Sequence, residues 1–419
     1  ALLLFLYFGF IFAVVGFLSG IFYRNLGENS LILFPFVWVT VEFIRSLSSQ
    51  LGFTWGALPY AFAHDRYFLQ IMEYTGMSGV SFAVVLVNVL FYFCIMKKRL
   101  RYIFWGLGII GIIYLYGFIR VKTYKSSNKQ IKVLCVQPNF APELKRGGLA
   151  VRLDSLSKLT KTNEEIDLIV WPETAIPGYV NYRYVKSKMF NVVDRLNAPI
   201  VSGAMRYSGA SYYNSCVVFY PGGRFDVYDK IYLVPFSERL PFEDKLRFLQ
   251  KLEFGESHFS RGKEFKVFKL PINRDTVNFS TLICFESTYP RLVRKFVRRG
   301  AQFLVNITED MWFKRTPGPY QHANMAILRA IEYRRAVVRC ANSGVSFFVL
   351  PTGEIKHETG IFTQTFIVGF IPVEQQLTFY ARYGDWFAWF CVIVTVLGLI
   401  ITSFQPLKGQ IYNFLRVRQ

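Results

Sequence analysis

The sequence predicts an α-helical membrane domain with a mixed α/β domain inserted before its last helix. Three observations carry this expectation. Hydrophobic residues make up 52% of the 419 but are unevenly spread. Five apolar stretches approach or reach the roughly 20 residues that a helix needs to cross a bilayer. Between the fourth and fifth, short apolar runs alternate with polar helical stretches, the pattern of a sheet interleaved with helices.

The elements follow in order. Residues 1–22 contain no charged side chain, and further candidate spans are 31–46, 79–96, 102–119 and 386–404. The last is uncharged and carries Trp386 and Trp389 near one end, where an interfacial aromatic belt would sit. Glu42 and Arg45 fall inside the end of the 31–46 stretch, and ionisable residues in a span are costly. A helix that stops near Val41 is the alternative to a span that runs through 31–46. The expected domains are four spans in 1–119, a soluble domain in 120–385, a C-terminal transmembrane helix in 386–404 and a cytoplasmic tail in 405–419.

Basic residues set the orientation. Lys97, Lys98, Arg99 and Arg101 lie between the third and fourth spans, and Lys408, Arg416 and Arg418 follow the last. Positive charge marks the cytoplasmic side, so the soluble domain is expected on the opposite side, together with the loop 47–78. Counting back places residue 1 outside too, and a cytoplasmic native N-terminus would then imply an odd number of further spans upstream.

In the soluble segment, strands are expected at 131–137, 167–173, 198–204, 214–220, 277–284, 302–308, 336–341 and 345–350. Several are continuous apolar runs, which implies burial on both faces. Helices are expected at 146–161, 183–196, 287–299 and 319–334, and "PGGR" (221–224) and "PTGE" (351–354) mark turns.

The net charge of +21 raises the question of nucleic acid. No nucleic-acid module accompanies it, and a basic balance beside membrane spans equally suits anionic head groups, so no nucleic-acid partner is expected. The six cysteines, Cys94, Cys135, Cys216, Cys284, Cys340 and Cys391, show no CxxC spacing, so neither a zinc site nor a disulfide framework is expected.

Polar groups at the C-terminal ends of apolar strands are candidates for chemistry, because open α/β sheets place ligand sites there. Glu173 ends "LIVWPE", Cys284 ends "STLIC", Asn306 ends "FLVN", and Lys230 stands in "YDKIYLVPF". A cysteine attacks as the thiolate, which requires a base to take its proton or a positive neighbour to lower its pKa. Glu173 is a candidate base and Lys230 a candidate partner for the thiolate and for the oxyanion formed on a carbonyl. The backbone N–H of Phe285, next after the cysteine, is a candidate oxyanion donor. The four histidines stand in no Cys/His signature.

"WPETAIP", "DKIYLVPFSERLPF" and "LICFES" resemble, in that order, the Glu-Lys-Cys motifs of the nitrilase superfamily. More narrowly, "VQPNF", Glu238, "VEFIRS", "LGFTWGALPYAF", "GMSGVSFAVVLVN" and the stretch 306–346 resemble the integral membrane branch of that superfamily, the apolipoprotein N-acyltransferases. The resemblance implies a nitrilase-like α-β-β-α sandwich inserted into a helical membrane domain of a bacterial cytoplasmic (inner) membrane, its catalytic face periplasmic. The family's eight spans would leave three upstream of residue 1. It implies transfer of a fatty acyl chain from a phospholipid, preferably phosphatidylethanolamine, through a cysteine thioester to the α-amine of a diacylglyceryl-cysteine apolipoprotein.

In that scheme Glu173 is base and acid, Lys230 the oxyanion partner and Cys284 the nucleophile. Glu238, Phe285 and Glu286 support them, Trp312, Phe313 and His322 are expected to contact substrate, and no metal or organic cofactor is expected. The chain is expected to act as a monomer. Two stretches depart from the family pattern: "APELKRGG", with Lys145 and Arg146, and "EDMWFKR" at 309–315. A membrane-tethered amidase or nitrilase-type hydrolase, in which water takes the acyl group, shares the triad and is the alternative expectation.

Overall fold

The structure, a computed structural model, describes residues 2–48, 50, 52–140, 148–242, 259–272 and 275–416, with side chains from Leu4 to Ser403. Lys145, Arg146 and Arg418 lie outside the described residues. The chain forms two compact units: Ala1–Ser48, Gly52–Lys122 and Tyr383–Gln419 make one, and Ser49–Leu51 with Thr123–Arg382 make the other.

The first unit is helical, with helices Leu2–Leu26, Phe34–Leu47, Met77–Lys97, Arg101–Thr123 and Trp386–Arg416. Among the described residues, five helices are long and apolar enough to cross a membrane. The second, entered through a 3-10 turn at Glu28–Leu33, runs past Val41 to Leu47, as the span 31–46 required. Its Glu42 carboxylate accepts hydrogen bonds from the Ser81 hydroxyl and the Leu58 amide and so is satisfied inside the protein. A buried hydroxyl pair, Thr40 Oγ1 to Thr395 Oγ1 at 3.0 Å, ties this helix to the last one.

Among the described residues the second unit holds thirteen strands: β1 Gln130–Gln137, β2 Leu168–Val170, β3 Ile176–Tyr179, β4 Ile200–Ser208, β5 Ser211–Tyr220, β6 Arg224–Asp229, β7 Phe268–Ile272, β8 Asp275–Ile283, β9 Phe303–Thr308, β10 Val337–Ala341, β11 Phe347–Val349, β12 Ile355–Lys356 and β13 Thr365–Pro372. They form two sheets, ordered β13-β1-β2-β4-β5-β6, with β3 also on β4, and β12-β11-β10-β9-β8-β7. Each sheet has a parallel centre, β1-β2-β4 in one and β8-β9-β10 in the other, with antiparallel strands outside it.

The apolar runs behave as buried strands should: every residue of β9 and β10 is buried. The two sheets face each other, and Cys340 Sγ of β10 lies 3.2 Å from the Val136 carbonyl of β1 and 3.3 Å from that of Val170. On the outer face of the first sheet, helices Leu149–Leu159 and Arg183–Leu196 place Leu156, Met189 and Val193 against Leu134, Ile169 and Phe219 in one core. Helices Pro290–Arg298 and Gly318–Tyr333 pack together on the second sheet. The result is an α-β-β-α sandwich.

Candidate active site

Three loops at strand ends supply the polar groups. Glu173 follows β2, and the chain turns sharply after it through Thr174, whose φ is +56°. Gly203 on β4 permits this approach, because a Cβ there would lie 2.6 Å from the Glu173 Cα. Lys230 directly follows β6, its amide fixed to the Asn214 carbonyl at 2.9 Å. Cys284 follows β8 and opens the 3-10 turn Cys284–Thr288 with φ +53°. A side chain held in this left-handed region costs roughly 1–2 kcal/mol, so the surrounding structure must impose the turn. Asn306 Nδ2 does so in part, donating to the Leu282 carbonyl at 3.0 Å and to that of Cys284 at 3.4 Å.

The charges converge. Lys230 Nζ lies 2.9 Å from Glu238 Oε1 and 3.6 Å from Glu173 Oε1. Asn214 Nδ2 donates to both carboxylates, at 2.7 Å to Glu173 and 2.9 Å to Glu238, and the Glu309 amide donates to Glu173 Oε2 at 2.9 Å. Burial would lower the Lys230 pKa, but Glu238 and Glu173 outweigh it and hold the ammonium charged. Burial raises the Glu173 pKa above the ordinary carboxylate range, against the pull of Lys230. Burial and then the Glu173 charge push the half-buried Cys284 thiol up, also against Lys230. The resting site therefore holds a thiol beside a carboxylate and a fixed ammonium, an arrangement in which the thiol loses its proton as it attacks.

Glu286 is wholly buried and ties two of these loops together. Its Oε1 accepts from the Tyr228 hydroxyl at 2.7 Å and from the amides of Ile231 and Tyr232 at 2.8 and 3.1 Å, and its Oε2 accepts from the Ile283 amide at 2.9 Å. The segment after Lys230 and the turn carrying Cys284 are thus fastened to one carboxyl group. Burial raises its pKa to about 7 despite these donors. Glu286→Ala is expected to orphan three backbone donors at about 1–3 kcal/mol each, lowering both thermal stability and turnover. Glu286→Gln, which retains one acceptor oxygen, should lose less in the same denaturation and activity measurements.

His322, a candidate substrate contact, is buried, with Nδ1 2.8 Å from Asp310 Oδ1. Asp310 also meets Arg339 Nη2 at 2.7 Å, while Arg339 Nη1 donates to Asn306 Oδ1 and Thr308 Oγ1 donates to Asp310 Oδ1. This buried network braces Asn306, and Asn306 braces Cys284. Trp312 is 70% exposed in the 3-10 turn Met311–Phe313, whereas Phe313 turns inward with its ring 6.0 Å from that of His322. Phe285, just after the cysteine, is buried with its ring edge-on to Tyr289. Among the described residues no group of three or more His, Cys, Asp or Glu is arranged to hold a metal ion.

Residues 132–376 match the carbon-nitrogen hydrolase family, and residues 1–90 match the N-terminal domain of apolipoprotein N-acyltransferase. Over 412 residues the chain is 32% identical to the apolipoprotein N-acyltransferase of Chlorobaculum tepidum, covering 89% of this chain and 77% of that protein. This chain belongs to the apolipoprotein N-acyltransferase family. The Geobacter metallireducens apolipoprotein N-acyltransferase is 33% identical over 389 residues, covering 87% of this chain and 73% of that one. Among solved structures, Saccharomyces cerevisiae Nit3, a member of branch 10 of the nitrilase superfamily, aligns over 59% of this chain and 92% of its own at 19% identity with a TM-score of 0.46.

Apolipoprotein N-acyltransferase membership accounts for both units, since one family match falls on the first membrane helices and the other on the sandwich. The chain is an integral membrane acyltransferase with a nitrilase-like catalytic fold, as the motifs implied. Asn214, Arg339 and the Glu309 amide are the site groups that the sequence reading passed over. Arg339, a charge in the middle of the apolar strand "AVVRCA", was the one with a visible signal.

Proposed function

We propose that the enzyme transfers an acyl chain from a phospholipid to an apolipoprotein in two steps on Cys284. In the first, Glu173 takes the thiol proton while sulfur attacks the ester carbonyl. Lys230 steadies the oxyanion together with the Phe285 amide. The ester C–O bond breaks, the lysophospholipid alcohol leaves with the proton from Glu173, and a thioester remains. In the second, the α-amine of a diacylglyceryl-cysteine attacks the thioester, Glu173 takes the amine proton, and the C–S bond breaks to return the thiol. Glu238 and Asn214 act as positioning residues that hold Lys230 and Glu173 in place.

The observation that carries this reading is the Lys230 ammonium held between Glu173 and Glu238, bearing on a strained, half-buried thiol. Phosphatidylethanolamine is the proposed donor, the monomer the proposed acting form, and exposed Trp312, beside Lys314 and Arg315, the proposed lipid contact. The proposed setting is the bacterial inner membrane with the domain 120–385 in the periplasm, followed by a C-terminal span, 386–404, and a cytoplasmic tail, 405–419. A hydrolase would use the same triad. The match of residues 1–90 to the acyltransferase membrane domain favours the lipid donor.

Glu173→Gln removes the proton acceptor while keeping the shape, and a loss of about 10²–10⁴ in turnover is expected in a lipopeptide conversion assay. With the base pKa raised by burial, the acid limb of the wild-type kcat/KM profile should lie above the ordinary carboxylate range. An acid limb at the ordinary range, or a Glu173→Gln enzyme of normal rate, would remove Glu173 from the role.

A further inference from the structure

Arg45 stands in the last turn of helix Phe34–Leu47, the second candidate membrane span. Its side chain is 5% exposed. Among the described residues it donates no hydrogen bond: the Nε is buried without a partner, and the nearest carboxylate oxygen, Glu42 Oε1, is 3.9 Å away, beyond hydrogen-bond reach. Glu42 is itself engaged by the Ser81 hydroxyl and the Leu58 amide. One face of the guanidinium lies over the Phe8 ring, 5.5 Å from its centroid, and Phe8 packs edge-on against Tyr7 and Phe53.

The rings support the flat face of the guanidinium and leave its hydrogen-bonding edge unused. Withdrawing an ionised group from water without its hydrogen bonds is costly, and in membrane segments such groups mark ligand sites. The planar fork of an arginine matches a phosphate with two parallel N–H···O bonds.

We propose that Arg45 receives the phosphate group of a phospholipid at the rim of the membrane unit. The inference rests on the phospholipid-donor reading above and adds where the headgroup is held. The ligand chemistry is a phosphate ester anion, and the test separates a lipid phosphate from free phosphate.

The test uses the full chain carrying Cys284→Ala, which forms no thioester, so that lipid retention is read independently of acyl transfer. Native mass spectrometry in detergent compares dioleoyl-phosphatidylethanolamine with dioleoylglycerol, each with and without inorganic phosphate. The phospholipid is expected to bind at least about tenfold tighter than the diacylglycerol, as a charge-assisted pair of hydrogen bonds implies. Arg45→Gln should erase most of that preference while leaving diacylglycerol retention as it was. Arg45→Lys keeps the charge but not the fork; it should fall between the two and decides the matter if Arg45→Gln does not fold.

A folded variant that keeps the full preference overturns the proposal, as does an equal loss of both lipids, which would make Arg45 structural. Release of the phospholipid by millimolar inorganic phosphate assigns the site to a free anion and overturns the lipid assignment. If the wild type forms no thioester with phospholipid, the catalytic reading fails on its own, and the binding comparison still decides the role of Arg45.

Discussion

Cys284→Ala is expected to abolish acyl transfer, with turnover falling by about a million-fold to the floor of the assay. The size of the loss follows from the way the site is built. Lys230, Glu173, Asn214 and Glu238 are already held in place by one another, and the strained turn at Cys284 is held by Asn306 and Glu286. In the proposed mechanism, removing the sulfur leaves the oxyanion partner and the base with no nucleophile to serve. The thiol is half-buried and contributes little packing, so the variant should fold and insert normally, with stability within about 1 kcal/mol of wild type. Lipopeptide conversion and thermal unfolding on the same preparation check both halves. A variant with normal turnover would sink the assignment of Cys284.

Arg339→Met is expected to destabilise the soluble unit strongly, by about 3–5 kcal/mol. Both Arg339 and Asp310 are fully buried, and the substitution would strand the Asp310 carboxylate in the core. Asn306 would lose a partner as well, loosening the brace under Cys284. Denaturant unfolding measures the loss, and Asp310→Asn combined with Arg339→Met should recover part of it, because no charge is then left unpaired. The same pair predicts a pH dependence. Burial alone would raise the Asp310 pKa, but Arg339 and then His322 hold it down at about 2 from an ordinary 3.8. A depressed carboxylate stabilises the fold above its unfolded pKa. Its contribution, about 2 kcal/mol, should be complete above roughly pH 4 and lost as the pH falls through about 2.

Much of this site is legible in the sequence because its chemistry sits at the ends of apolar runs. "LIVWPE" and "STLIC" each announce a buried parallel strand by continuous hydrophobicity, and the first polar or thiol group after the run is the one delivered to the site. Strands β3, β7, β12 and β13 escaped because they are short or contain proline, and β6 because its charges mimic a loop. The end of the span at Phe34–Leu47 was left between two readings because Glu42 reads as a break, whereas its partners Ser81 and Leu58 lie well beyond any local window. The surroundings of His322 were not legible in the same way, because its partner Asp310 is itself fixed by Arg339 on β10.

The account stands or falls on the covalent intermediate. Intact-mass analysis of the wild-type protein after incubation with phosphatidylethanolamine should show one fatty-acyl increment. It should be sensitive to hydroxylamine, absent from Cys284→Ala and released by a diacylated lipopeptide amine. Absence of any increment under turnover conditions, an increment that persists in Cys284→Ala, or release by water as fast as by the amine would contradict it.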